Sequence, residues 1–233
     1  MNYSIYNKKK SDTIIFLNGA GVGQWMWTKQ IKNLKDYQLI TFDYLGHTAD
    51  NKHFVNMQTE INRLKELMQD HCTAKVYLVG FSLGAQISLL AQQQLLIEKA
   101  IIISTLNKPN KLMYQILKPF IKLSMPFVKY KWYAKLNASQ LNIKQELFEN
   151  YFVTSKFLSY KSLKNIYKEN MSFKFGKVNN EKTRVLVGAN EVKVVKQSAQ
   201  ELSSNFIEIN NAGHDIPYNH FEKLNKLITQ FFK

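Results

Sequence analysis

The sequence predicts an α/β fold: a mostly parallel, doubly wound sheet with helices on both faces. Three observations predict it. Short runs of Ile, Leu, Val, Tyr and Phe alternate with segments of helical periodicity at both ends of the chain. These runs are continuously apolar, as strands buried on both faces are. Each also ends in glycine or polar residues, and the carboxyl edge of a parallel sheet is where ligands bind.

The elements follow in order. TIIFLNG (13–19) reads as a strand, and Trp25, Trp27, Ile31 and Leu34 mark a helix after it. YQLITFD (37–43) is a second strand, and MQTEINRLKELMQDH (57–71) an amphipathic helix with Ile61, Leu64 and Leu67/Met68 inward. Val76 to Val79 form a third strand, followed at helical spacing by Leu83, Ile87, Leu90 and Ala91. KAIIIST (99–105) is another buried strand. After residue 180 the alternation resumes with TRVLVG (183–188), a helix near 193–204, NFIEIN (205–210) and a last helix over 217–232. Residues 2–6 are expected to add an antiparallel edge strand.

Between the two halves the texture changes. Residues 107–180 are rich in lysine and aromatics and show no strand alternation, so the expected organisation is a core of 1–106 and 181–233 with a helical lid over 107–180. Lys111, Lys118, Lys122 and Lys129 fall within about 40° of one another at 3.6 residues per turn. Pro119 and Pro126 are expected to break or kink the segment, giving several short helices.

Composition narrows the function classes. The chain has 233 residues, 45% apolar and 13% aromatic, which excludes disorder. No apolar run reaches the roughly 18 residues of a membrane span, and the five-residue run before Asn18 is too short for a signal peptide. One cysteine, Cys72, rules out an intramolecular disulfide and a multi-cysteine metal site. No His/Asp/Glu cluster has metal-ligand spacing, and no phosphate-binding loop or dinucleotide fingerprint occurs, so neither metal nor cofactor is expected. A cytoplasmic location is the expectation, with peripheral contact of the basic lid with anionic membrane lipid as a secondary reading. The net charge of +15 rests on 30 lysines against two arginines, Arg63 and Arg184, and +11 of it lies in residues 108–180. Scarce arginine speaks against nucleic acid. The basic segment reads first as a solvated face on a lid whose apolar side roofs a pocket. Its second reading is attraction to anionic lipid at a membrane surface.

The chemistry sits at the strand ends. Gly80-Phe81-Ser82-Leu83-Gly84 places a serine between glycines at a strand-to-helix junction. Further along, Gly188-Ala189-Asn190-Glu191 and Asn211-Ala212-Gly213-His214-Asp215 end two more strands. A serine, a carboxylate and a histidine thus reach one rim in the order Ser82, Glu191, His214. Asn190 cannot carry the acid's charge, and Asp215 adjoins His214 too closely to reach back to its ring.

This constellation resembles the α/β-hydrolase superfamily, whose nucleophile elbow is G-x-S-x-G and whose triad runs Ser, acid, His. The likeness covers nearly the whole chain. It implies Ser82 as nucleophile, His214 as general base and Glu191 as its carboxylate partner, with the N–H groups of Ala20 and Leu83 as the oxyanion hole. Asn18-Gly19 stands where the family usually has His-Gly, and DYLGHT (43–48) resembles its D-x-x-G-H turn segment. His47 and Asp43 read as structural turn partners, and His53, His71 and His220 as surface residues.

The expected reaction is hydrolysis of a carboxylic ester through an acyl-enzyme. Tyr114, Phe120, Phe127, Trp132 and Tyr133 suggest an apolar acyl or alcohol group of small to medium size. A carbon–carbon bond hydrolase, a menaquinone-pathway-type lyase and a non-catalytic binding protein of the same fold remain alternatives. Gly84-Ala85-Gln86 departs from the Gly-Gly-Arg of those lyases, which removes an anion clamp.

Overall fold

The computed structural model of the chain describes residues 2–49 and 52–233. Among these residues the apolar runs form β1 (Tyr3–Tyr6), β2 (Thr13–Leu17), β3 (Gln38–Phe42), β4 (Val76–Phe81), β5 (Lys99–Ile103), β6 (Thr183–Gly188) and β7 (Ile207–Ile209). They build one sheet in the order β1-β3-β2-β4-β5-β6-β7. Only β1 is antiparallel, pairing Tyr3 with Phe42 at the edge. β4 runs through Gly80 and Phe81, two residues beyond the expected Val79.

The helices are α1 (Thr28–Asn33), α2 (Met57–His71), α3 (Leu83–Ala91), α4 (Lys111–Ser124), α5 (Lys131–Gln140), α6 (Gln145–Ser155), α7 (Tyr160–Asn170), α8 (Lys193–Leu202), α9 (Ile216–Asn219) and α10 (Phe221–Phe232). The two sides of β2 show why its run is continuously apolar. Ile15 and Leu17 pack with residues of α2, α3 and α8, while Ile14 and Phe16 pack with Trp27 and residues of α10. Each such side chain contributes roughly 1.5–3 kcal/mol on burial.

Three expectations need correction. Pro119 does not break its segment but lies inside α4. The bond its missing N–H would make is to the carbonyl of Gln115, an exposed position that water can satisfy. The break comes instead at Met125–Phe127, a 3₁₀ turn carrying Pro126. The last helix divides into α9 and α10 because His220, at φ −118° and ψ 33°, leaves the helical region. The tryptophans after β2 occupy a 3₁₀ turn, Gln24–Trp27, ahead of a short α1.

Between β5 and β6 the chain leaves the sheet to form α4–α7. Asn107 joins the two ends of this excursion. Its side chain accepts from the Phe175 N–H at 2.7 Å and donates to the Phe175 carbonyl at 3.1 Å. No helix among the described residues is long and apolar enough to cross a membrane.

Candidate active site

After β2 the chain adds β3 on one side and then returns to add β4 on the other, so the sheet's order reverses at β2/β4. Leu17 pairs with Gly80, which sets the loop after β2 beside the turn after β4. Close packing at this junction explains both elbow glycines. A Cβ on Gly84 would lie 2.2 Å from the Leu17 carbonyl oxygen, and one on Gly80 would lie 2.4 Å from that of Gly84. Ser82 sits between them at φ 54° and ψ −112°, a conformation L-residues rarely adopt. Its N–H donates to the Ile103 carbonyl at 2.9 Å. Phe81 and Leu83 are buried on either side while Ser82 is half-exposed, so the turn presents the serine.

Two further loops converge on the same rim. Gly188 meets the turn after β7 so closely that a Cβ would lie 2.3 Å from the Ala212 carbonyl oxygen. Asn190 N–H donates to that carbonyl at 2.8 Å. The acid-bearing and histidine-bearing loops are thereby joined. Glu191 Oε1 stands 2.7 Å from His214 Nδ1, and the glutamate side chain is nearly buried. The His214 ring lies 4.6 Å from that of Phe81, next to Ser82. Asp215 turns elsewhere, accepting from the Gly213 N–H and the Asn219 amide. The pairing is therefore Glu191 with His214.

The loop after β2 is held from beneath. Asn18 is buried, donating to the Phe42 carbonyl at 3.0 Å and accepting from Trp27 Nε1 at 2.7 Å. Asp43 accepts from the Gln24 N–H at 3.1 Å and its side-chain amide at 2.8 Å. Burial raises the Asp43 pKa, against these hydrogen bonds. His47 Nε2 accepts from the Gly21 N–H at 3.0 Å, and burial lowers its pKa to about 4. A neutral imidazole at 47 is what this acceptor role requires. The sequence marked Asp43 and His47 as turn partners; their hold on the loop beside Ala20 is a tertiary fact without a local signal.

Ser82, His214, Ala20 and Gly21 line one cavity of about 340 Å³ beneath α4–α7. Its wall is apolar at Ile121, Val128, Leu158 and Ile166 and carries hydroxyls and amides at Tyr151, Asn137 and Asn170. Among the described residues of this lining there is no Asp, Glu, Lys or Arg. Among the described residues no group of His, Cys, Asp and Glu is placed to hold a metal ion. Of the five aromatics expected around the substrate, Tyr133 lines this cavity, while Phe120 and Phe127 line a neighbouring groove instead. His53, His71 and His220 are half-buried, each keeping part of its surface in solvent. His53 meets Ser159 Oγ at 3.0 Å and His71 the Tyr3 hydroxyl at 3.1 Å. Cys72 is also half-buried, and burial pushes its thiol pKa up, away from reactive thiolate.

A parallel sheet reversing at β2/β4, with serine, glutamate and histidine delivered to its carboxyl edge, defines a doubly wound hydrolase-type fold. The chain belongs to the alpha/beta hydrolase family, whose pattern residues 14–226 match. In structure it is similar to a bromoperoxidase from Bacillus anthracis, with a TM-score of 0.79 and 16% identity over 99% of this chain and 94% of that one. It is similar likewise to an esterase from Exiguobacterium antarcticum, with a TM-score of 0.78 and 14% identity over 98% of this chain and 94% of that one. In sequence, 123 residues are 29% identical to a probable alcohol acetyltransferase of Wickerhamomyces anomalus, covering 50% of this chain. That match spans only 36% of the relative's length.

Proposed function

We propose that the chain is a serine hydrolase that cleaves carboxylic esters with small to medium apolar acyl or alcohol groups. The observation that carries this reading is the Glu191–His214 pair facing the same cavity as a strained, half-exposed Ser82. With Nδ1–H donated to Glu191, the His214 Nε2 lone pair is free to take the Ser82 proton. Ser82 Oγ then attacks the carbonyl carbon, and Glu191 stabilises the imidazolium. The new oxyanion takes the N–H groups of Ala20 and Leu83. Leu83 opens α3, so its N–H is among those a helix leaves unpaired. Collapse expels the alcohol with a proton from His214 and leaves an ester on Ser82. Water, deprotonated by His214, releases the acid.

The uncharged lining supports a neutral substrate and offers no clamp for the carboxylates that a menaquinone-pathway-type lyase must hold. A volume near 340 Å³ lies at the small end of ligand sites, in keeping with short chains. The partial likeness to a probable alcohol acetyltransferase supports a second acceptor: the acyl group passing to an alcohol instead of water. Adding ethanol to a turnover assay and measuring the ethyl ester formed separates the two fates.

Intact-mass analysis after treatment with a fluorophosphonate tests the nucleophile. One adduct is expected on the wild type and none on Ser82→Ala. Ser82→Ala and His214→Ala should each lower kcat about 10⁴-fold or more at unchanged melting temperature, and Glu191→Gln should be severe but smaller in effect. A folded wild type that takes no adduct would replace this reading with a binding role. Full activity in Glu191→Gln would move the acid to another residue.

A further inference from the structure

The apolar residues of α4 do not all face the cavity. Ile121 is only 7% exposed and lines it, whereas Leu112, Ile116, Phe120 and Leu123 are 72%, 49%, 62% and 68% exposed. At 100° per residue these four fall within about 80° of one another, on the side of α4 turned to water. Lys111, Lys118 and Lys122 lie within about 40° of one another, beginning about 80° beyond one edge of that strip, all exposed. Among the described residues no carboxylate pairs with them. The strip continues past the 3₁₀ turn into Phe127, Tyr130, Trp132 and Leu136, also exposed. A large apolar strip, with unpaired lysines beyond one edge whose long stems can snorkel back toward it and with Trp and Tyr following, is costly to leave in water and has the makeup of a helix lying in a lipid headgroup layer.

We propose that this face of α4 and the start of α5 docks on an anionic phospholipid bilayer. Leu112, Ile116, Phe120 and Leu123 enter the acyl boundary, and Lys111, Lys118 and Lys122 meet the phosphates. The 14 residues of α4 span about 21 Å, too short to cross a bilayer and suited to lying in its plane. Charge complementarity favours this occupant over a second copy of the chain, since residues 108–180 carry a net +11 and would repel their own image. The strip is apolar where a nucleic acid would require polar contacts.

The docking face also adjoins the site. A groove of about 410 Å³ lined by Leu117, Phe120, Leu123 and Phe127 shares Ile121, Ser124, Tyr133 and Tyr167 with the catalytic cavity. An apolar ester dissolved in the bilayer therefore meets the cavity wall directly. This delivery role rests on the hydrolase reading; docking itself does not.

The test is vesicle flotation of the full chain, with phosphatidylcholine alone and with a 7:3 mixture of phosphatidylcholine and phosphatidylglycerol. Turnover of water-soluble p-nitrophenyl acetate is followed in parallel. Wild type should float with the anionic vesicles and fall off as salt rises. Lys111→Gln/Lys118→Gln/Lys122→Gln should weaken partitioning about 100-fold, each lysine near an anionic surface contributing roughly fivefold. Leu112→Asp/Ile116→Asp, outside the cavity, should abolish flotation and keep soluble-ester turnover. Equal or absent flotation on both vesicles overturns the proposal. So does loss in the lysine variant alone, which signifies polyanion or nucleic-acid binding without insertion. A wild-type dimer that Leu112→Asp/Ile116→Asp dissolves, with no flotation, assigns the face to a second copy. If flotation follows the expected pattern while every protein lacks turnover, docking stands and the hydrolase reading falls.

Discussion

Ser82 carries backbone angles that cost a non-glycine residue about 1–3 kcal/mol, and its surroundings leave it no alternative. Gly80 and Gly84 press against neighbouring backbone, and the Ser82 N–H is tied to β5. His47 contributes differently, by staying neutral. Its pKa falls from an ordinary 6.5 to about 4 because burial penalises the imidazolium. The unfolded chain then binds a proton near pH 6.5 that the folded chain refuses until about pH 4. Stability from His47 is therefore present above pH 6.5 and lost as pH falls toward 4. Between pH 7 and pH 5 the loss should be about 2 kcal/mol, or roughly 4–8 °C in melting temperature. Asp43 and Glu60 act in the opposite sense, since their raised pKa values let the folded state take up protons as pH falls. Thermal melts of wild type and His47→Gln across this range separate the contributions. The variant should start lower at pH 7 and lose less on acidification; a profile as steep as that of wild type would clear His47 of the effect.

The elbow was legible in the sequence because its causes are local: a strand, a glycine, a serine, a glycine and a helix in unbroken succession. The strands were legible for a similar reason, since Ile14, Ile15, Phe16 and Leu17 are buried alternately on both faces. Glu60 was not. Within α2 it looks like any solvated carboxylate, yet it is fully buried, paired with Arg63 one turn on and accepting from the Leu45 N–H at 3.1 Å. Arg63 also donates to the Asp43 carbonyl at 3.3 Å. This buried pair holds the 43–48 turn, and only the packed molecule reveals it. Arg63→Ala should destabilise by about 3–5 kcal/mol because it leaves Glu60 buried without a countercharge. A loss below about 1 kcal/mol in urea denaturation would mean that the pair is held open to water. The direction of the α4 strip was equally hidden, because helical periodicity assigns residues to faces without saying which face meets the core. Asn137 and Asn170, on different helices of the cavity wall, had no shared signal at all.

At the scale of the molecule, α4–α7 leave and rejoin the sheet beside one residue. Asn107 is buried and serves the N–H and carbonyl of Phe175, while its own N–H donates to Ser198 Oγ at 2.9 Å. Asn107→Ala removes two hydrogen bonds and should cost about 1–3 kcal/mol. If the clasp also sets how the helices sit over the cavity, KM for a short ester should rise more than kcat falls. Unchanged kinetics in a destabilised variant would confine Asn107 to folding. β5 and β6 pair directly, Ile103 beside Leu186, although the chain between them is the whole α4–α7 excursion. Closing a chain segment of that kind becomes only about 0.6 kcal/mol harder for each doubling of its length. Descendants of this sequence are consequently free to shorten, extend or exchange the excursion while Ser82, Glu191 and His214 stay where the sheet puts them. The wall of the cavity can be rebuilt without disturbing its floor.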